Sequence, residues 1–137
     1  MSWRLFAAAK TPPWREGVLW VGGEKADVCA FTLDKSDGNF SPTTRYRDYA
    51  ISRDLIHWET QSSTSESSPT GKRYCNHVKE GSSIMLFARE NTRDRAFWFL
   101  GPATYVSHQS ERPMGITWRL DVSLPGDLYT TFAAAVA

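Results

Sequence analysis

The chain has 137 residues, 23% of them charged, 13% aromatic, and a formal net charge of +1. That length suits one domain, able to bury roughly two thirds of its unfolded surface without help from disulfides or metal. A near-zero net charge excludes polyanion binding through the overall field, so such binding needs a local basic patch, and no apolar run approaches the roughly 20 residues of a bilayer span.

Met1-Ser2-Trp3 leads straight into interior-looking sequence, as in a short complete protein or an excised domain, and residues 2–10 suggest a short helix. Strands are predicted over 17–21, 26–33, 83–89, 96–100, 103–107 and 115–120, each a short apolar or alternating run closed by Gly, Pro, Asn or Asp. In the second of these, Val28, Ala30 and Thr32 share one side while Cys29, Phe31 and Leu33 share the other, so both faces look buried. Lys35-Ser-Asp-Gly38 reads as a turn and residues 90–95 as a hairpin turn. Residues 52–59 read as a two-turn helix, with Ser52 as N-cap, Asp54 in the first turn and Leu55, Ile56 and Trp58 or Glu59 as a weak apolar face. Residues 60–71, rich in Ser and Thr, read as a long loop. Residues 125–132 suggest a last turn or two of helix, and 133–137 a flexible tail. Together these predict a single mostly β domain over 1–137, with one or two short helices, shaped as a small closed or nearly closed β-barrel that hides its strand edges.

Tests for catalysis and cofactors find little. His57, His77 and His108 lie 20 and 31 residues apart, with Cys29 and Cys75 scattered among them, matching no tight metal-ligand spacing. Neither a metal nor a cofactor is expected. The two cysteines are read as reduced thiols. Cys75 and His77 could be taken for a thiol with a neighbouring base, but a half-buried strand end explains them more simply. Ser68-Pro-Thr-Gly-Lys72 lacks the first glycine of a phosphate loop and the hydroxyl after its lysine. The carboxylates are spread singly, without the clustering of two-metal nucleases.

Binding is better served. Residues 40–77 carry four arginines, one lysine, three tyrosines and a tryptophan among many hydroxyls, with few aliphatic residues. A segment so poor in core material suits a working surface. A base reader needs an aromatic plane for stacking, hydrogen-bonding groups for the base edge, and basic groups for phosphates. Tyr46, Tyr49 and Trp58 can supply planes; Asp48, His57, Gln61 and Ser62 can supply edge contacts; Arg45, Arg47, Lys72 and Arg73 can hold phosphates, with Arg93 and Arg95 at a hairpin tip as further candidates. The competing structural reading makes Tyr49 and Trp58 core residues, pairs Asp48 with a neighbouring arginine, satisfies His57 within the fold, and leaves Arg93 and Arg95 merely solvated.

Several words of the chain occur together in one family. They are Phe40-Ser-Pro-Thr-Thr-Arg-Tyr-Arg-Asp-Tyr-Ala-Ile-Ser52, His57-Trp58, Ser68-Pro-Thr-Gly71 with Arg73-Tyr74, Phe99-Leu-Gly-Pro102, Tyr105-Val-Ser-His108, Pro113-Met114 and Ile116-Thr-Trp-Arg-Leu120. From about residue 17 to 128 the chain resembles the domain of unknown function DUF3427. The resemblance implies an accessory module of the kind found beside superfamily 2 helicases and phospholipase-D-like nucleases in bacterial restriction or defence proteins. By looser analogy it is similar to PUA-related barrels, the YTH, EVE and SRA readers that hold a modified base in a cleft. On that analogy Tyr49, Trp58 and Gln61 with Asp48 would line the cleft, and the Ser/Thr loop to Arg73 would follow the nucleic-acid backbone. Cys75 and the alanine-rich tail depart from the pattern. The expectation is a cytoplasmic, non-enzymatic, non-membrane reader of nucleic acid, DNA ahead of RNA, taking a base that is flipped out and modified or plain. The alternative is a domain that docks a helicase or nuclease subunit. A small hydrolase using His57, Cys75 or His77 is a third, weaker reading.

Overall fold

A computed structural model describes residues 17–34, 48–91, 93 and 96–134. Arg45, Tyr46, Arg47 and Arg95, the suggested helix at 2–10 and the turn at 35–38 lie outside the described residues. The strands are β1 (Gly17–Val21), β2 (Ala26–Asp34), β3 (Tyr49–Ala50), β4 (Leu55–Glu59), β5 (Ser83–Asn91), β6 (Trp98–Gln109) and β7 (Gly115–Leu120). The helices are α1 (Pro69–Glu80) and α2 (Gly126–Ala134), and one 3₁₀ turn, Gly22–Glu24, separates β1 from β2. None of these helices is long and apolar enough to cross a membrane.

Among the described residues the seven strands form one mixed sheet in the order β1-β2-β5-β6-β7-β4-β3. The domain is mostly β, as expected, but this sheet is not closed into a barrel: its two ends are β1 and β3. β2 and β5 run parallel, paired from Ala26 with Ser83 to Asp34 with Asn91, while the other neighbours are antiparallel. A parallel pair demands a crossover, here supplied by β3, β4 and α1, so one face is covered by helix.

β2 is buried on both sides, as its composition predicts. Cys29, Phe31 and Leu33 join the main core with Ile56, Trp58, Tyr74, Ile84, Leu86, Ile116, Trp118 and Phe132. Val28 and Ala30 join a smaller cluster on the opposite face with Met85 and Phe87. β6 spans what reads in the sequence as two strands; the chain passes through Gly101 at φ 103°, a left-handed value suited to glycine, without ending the strand.

Residues 52–59 form a tight turn and β4 instead of a helix. Ser52 Oγ donates to Asp54 Oδ1 (2.9 Å) and Ile51 N donates to Leu55 O (2.8 Å), which folds β3 back onto β4. Within β4, Ile56 and Trp58 are buried while Leu55, His57 and Glu59 are half-buried, a period of two.

The helix α1 begins inside the expected loop, at Pro69, and takes in Cys75 and His77, which lie on a helix and not at the expected strand end. Ser68 caps it: its Oγ accepts from Gly71 N (3.1 Å) and donates to Ser65 O (2.7 Å), and Pro69 takes the first helical position. Gly71 permits the packing that follows, because a Cβ there would lie 1.9 Å from Ser65 O. The buried face is Gly71, Tyr74 and His77, three residues apart. Gly81 ends the helix at φ 74°, its N–H directed to the carbonyls of His77 and Val78.

His77 repairs a defect in the sheet. The β6–β7 register shifts between Tyr105 and Ser107, and Tyr105 N donates to His77 Nε2 (3.0 Å). That acceptor role places the proton on Nδ1, which donates to Ser82 O (3.2 Å). The ring is therefore neutral, and burial lowers its pKa. An unfolded histidine takes up a proton below about pH 6.5, whereas His77 resists it, so its stabilising contribution is present above that pH and is lost as the pH falls further. Chemical denaturation between pH 7.5 and 5.0 should show stability falling with acid, and His77→Gln, although less stable at pH 7.5, should show a shallower fall.

Candidate functional site

The described residues place an open polar cleft on the side of β4 and β7 opposite the main core. The loop that follows β4 is tied to the β6–β7 hairpin: Met114 N donates to Thr60 Oγ1 (2.9 Å), Thr60 N to Met114 O (3.0 Å) and Arg112 N to Thr64 O (3.0 Å). A concavity of ≈320 Å³ lies between β4 and this hairpin, lined by His57, Glu59, Gln109, Ser110, Glu111, Pro113 and Gly115. Tyr49, paired with His57 across β3 and β4, stacks on the imidazole with ring centroids 5.0 Å apart and planes at 30°. Gly115 makes room for that imidazole, since a Cβ at this position would stand 3.1 Å from His57 Cε1.

His57 is half-buried, and desolvation lowers its pKa while Glu59 opposes the shift. A neutral imidazole can donate from one nitrogen and accept at the other. Glu59 and Glu111 are acceptors when ionised, and Gln109 and Ser110 can do either. The cleft thus offers one aromatic face with a surplus of hydrogen-bond acceptors, a combination suited to a flat polar ligand bearing N–H groups.

Of the residues expected to form a site, the structure brings Tyr49 and His57 together and separates the rest. Trp58 points the other way into the core, 4% exposed, edge-on to Tyr74 (5.6 Å) and near Trp118 (6.3 Å). Its role as a stacking plane is corrected to packing, because alternation along β4 puts it on the face opposite His57. Asp48 is buried, with Oδ1 accepting from Glu59 N (2.9 Å), and fixes the end of β4 from behind. Gln61 and Ser62 are exposed in the loop after β4 and do not line the cleft.

The expected phosphate contacts divide similarly. Arg73 is committed inward: Nε and a terminal nitrogen each lie 3.0 Å from a carboxylate oxygen of Asp27, which is 1% exposed, and the guanidinium stacks over Trp20 at 4.6 Å. Its assignment to phosphate is corrected to an ion pair with the buried Asp27 carboxylate, the arginine itself being half-buried. Lys72 is exposed on α1 and lines a neighbouring groove, and Arg93 is exposed near the β5–β6 connection. Glu59, Gln109, Ser110, Glu111, Pro113 and Gly115 also line the cleft; Pro113 and Gly115 mark a turn in the sequence, but nothing there points to a ligand.

A thiol-based reading gains no support. Cys75 faces His108 Nδ1 at 4.0 Å, away from His77, and burial pushes its thiol pKa up, opposite to the shift that activates a nucleophile. Cys29 is a buried free thiol beneath the sheet.

One mixed-sheet domain, with both helices on one face and a polar cleft on the other, is what the described residues define. The family model for the domain of unknown function DUF3427 matches residues 12–132, and the chain belongs to that family. No curated protein matches it.

Proposed function

We propose that this domain is a nucleic-acid-binding module, a DNA reader that takes an extruded base, plain or modified, into the cleft beside His57. The observation that carries the reading is the Tyr49–His57 ring pair beside a cleft of ≈320 Å³ whose other walls are hydrogen-bonding side chains. In this reading the imidazole, backed by Tyr49, supplies the stacking face, worth roughly 1–3 kcal/mol per base. Glu59, Gln109 and Glu111 read the base edge. Arg112 on the same hairpin and Lys72 in the adjoining groove flank it with positive charge, and Arg45 and Arg47 precede Asp48 in the chain. The reading depends on this cleft and not on closure of the sheet into a PUA-like barrel. It fits an accessory role beside restriction or defence nucleases and helicases in the cytoplasm, with no chemistry of its own.

Fluorescence anisotropy with short plain and modified duplexes and single strands tests it. Binding at low salt is expected, with log K falling against log salt with a slope of about −2 to −3, as for two or three neutralised phosphates. His57→Ala should weaken binding roughly tenfold or more. No binding to any of these ligands at low salt would overturn the reading. A protein-docking domain would instead hold a helicase or nuclease subunit through both added salt and competing DNA.

A further inference from the structure

On the far side of Glu111 from the cleft, three donor side chains from separate parts of the chain converge. Glu66 comes from the loop before α1, His108 from the end of β6 and Glu111 from the β6–β7 hairpin; one ligand atom from each lies within 4.8 Å of the others. His108 Nε2 stands 3.6 Å from Glu66 Oε2. The other ring nitrogen, Nδ1, is 2.7 Å from the Tyr105 hydroxyl. Tyr105 packs against the main core. That packing fixes its hydroxyl, which holds the ring and leaves Nε2 turned toward the carboxylates.

The backbone is also set in advance. Arg112 N donates to Thr64 O (3.0 Å) and Glu66 N donates to Glu111 Oε1 (2.5 Å), so the two chain segments bearing the carboxylates are already fastened together. A groove of ≈440 Å³ lined by Glu66, Ser67, Lys72, Asn76 and Glu111 gives access from solvent.

We propose that Glu66, His108 and Glu111 bind one divalent transition-metal ion, of the class of Zn²⁺ or Mn²⁺. One imidazole with two carboxylates is a donor set for such ions, and three protein ligands leave a position open to the groove. The two carboxylates match the ion's charge, and the imidazole disfavours Ca²⁺ and Mg²⁺, which prefer oxygen donors throughout. Bonds of about 2.0–2.2 Å bring donors to roughly 3.3 Å from one another; Glu66, with 65% of its side chain exposed, can close that gap by rotation, while His108 stays anchored and Glu111 stays held by Glu66 N. On binding, Nδ1 donates to the Tyr105 hydroxyl, a hydrogen bond that fixes the orientation of a metal-bound imidazole. The site stands on these distances and not on the base-reading proposal.

Calorimetric titration of ZnCl₂ or MnCl₂ into the tag-free, chelator-treated full chain tests it, with CaCl₂ and MgCl₂ for comparison and no nucleic acid present. At least one of the first two ions should bind 1:1 and raise Tm. His108→Gln and the double variant Glu66→Gln/Glu111→Gln should each lose at least tenfold in affinity while keeping the wild-type far-UV circular dichroism. The proposal is overturned if neither ion binds stoichiometrically, if Ca²⁺ or Mg²⁺ binds equally well, or if both variants bind like wild type. A failure to bind nucleic acid leaves this result untouched, so the two proposals fail separately.

Discussion

Trp58→Ala should lower folding stability by about 3–5 kcal/mol, the loss expected when a buried tryptophan is removed and its cavity only partly collapses. The indole is 4% exposed and wedged between Tyr74 and Trp118, on the core side of β4. For a domain of this size the loss corresponds to roughly 10–20 °C in Tm. Thermal melts followed by near-UV circular dichroism check it, because they report the packing of the remaining aromatic rings. Any drop in nucleic-acid binding by this variant should follow the folded fraction. A variant that folds like wild type but no longer binds would return Trp58 to the surface and contradict the assignment of the site to the opposite face.

Arg73→Ala is expected to cost about 3 kcal/mol, for a reason unrelated to phosphates. The guanidinium makes two 3.0 Å hydrogen bonds to the buried carboxylate of Asp27, and its removal leaves that charge unpaired at 1% exposure. Breaking one side of such a pair costs about 3–5 kcal/mol, and the lower end applies because the Arg73 side chain is itself 25% exposed. Replacing both partners with apolar residues of similar volume is often neutral, so Asp27→Leu/Arg73→Met should be clearly more stable than Arg73→Ala. Urea denaturation of both variants and wild type provides the comparison. If Arg73→Ala unfolds at the wild-type midpoint, the ion pair contributes nothing and the arginine is available for another role.

Much of the sheet was legible in the sequence because its central strands are apolar on both faces or alternate cleanly. β1, β2, β5 and β7 fall where their runs predict, and the two-sided burial of β2 follows from its parallel pairing with β5. β4 was misread because Ser52 and Asp54 imitate a helix cap, although they build the turn that precedes a strand. The alternation of Ile56 and Trp58 against His57 and Glu59 was the better signal, and it would have sent the indole and the imidazole to opposite faces. α1 was hidden because its buried face uses Gly71 and His77, neither of which reads as apolar, and because Pro69 and Gly71 look like breakers when they serve as first-turn and close-packing residues.

The cleft itself was half legible. Tyr49 and His57 were singled out on residue type within a polar segment. Gln109, Ser110, Glu111 and Gly115 come from a hairpin more than fifty residues further on, and only the pairing of β4 with β7 brings them beside His57. No local pattern carries that information, and the same holds for the meeting of Glu66 with His108.

The central claim is that the cleft over Gly115 takes the base, and chemical-shift mapping tests it most directly. Amide and His57 ring resonances would be followed while a short oligonucleotide is titrated into isotope-labelled protein. The account predicts shifts at His57, Glu59, Gln109, Ser110 and Gly115, with Trp58 and Trp118 indole signals little changed. Shifts confined to the opposite face or to the exposed Trp98, with the His57 ring silent, would contradict it.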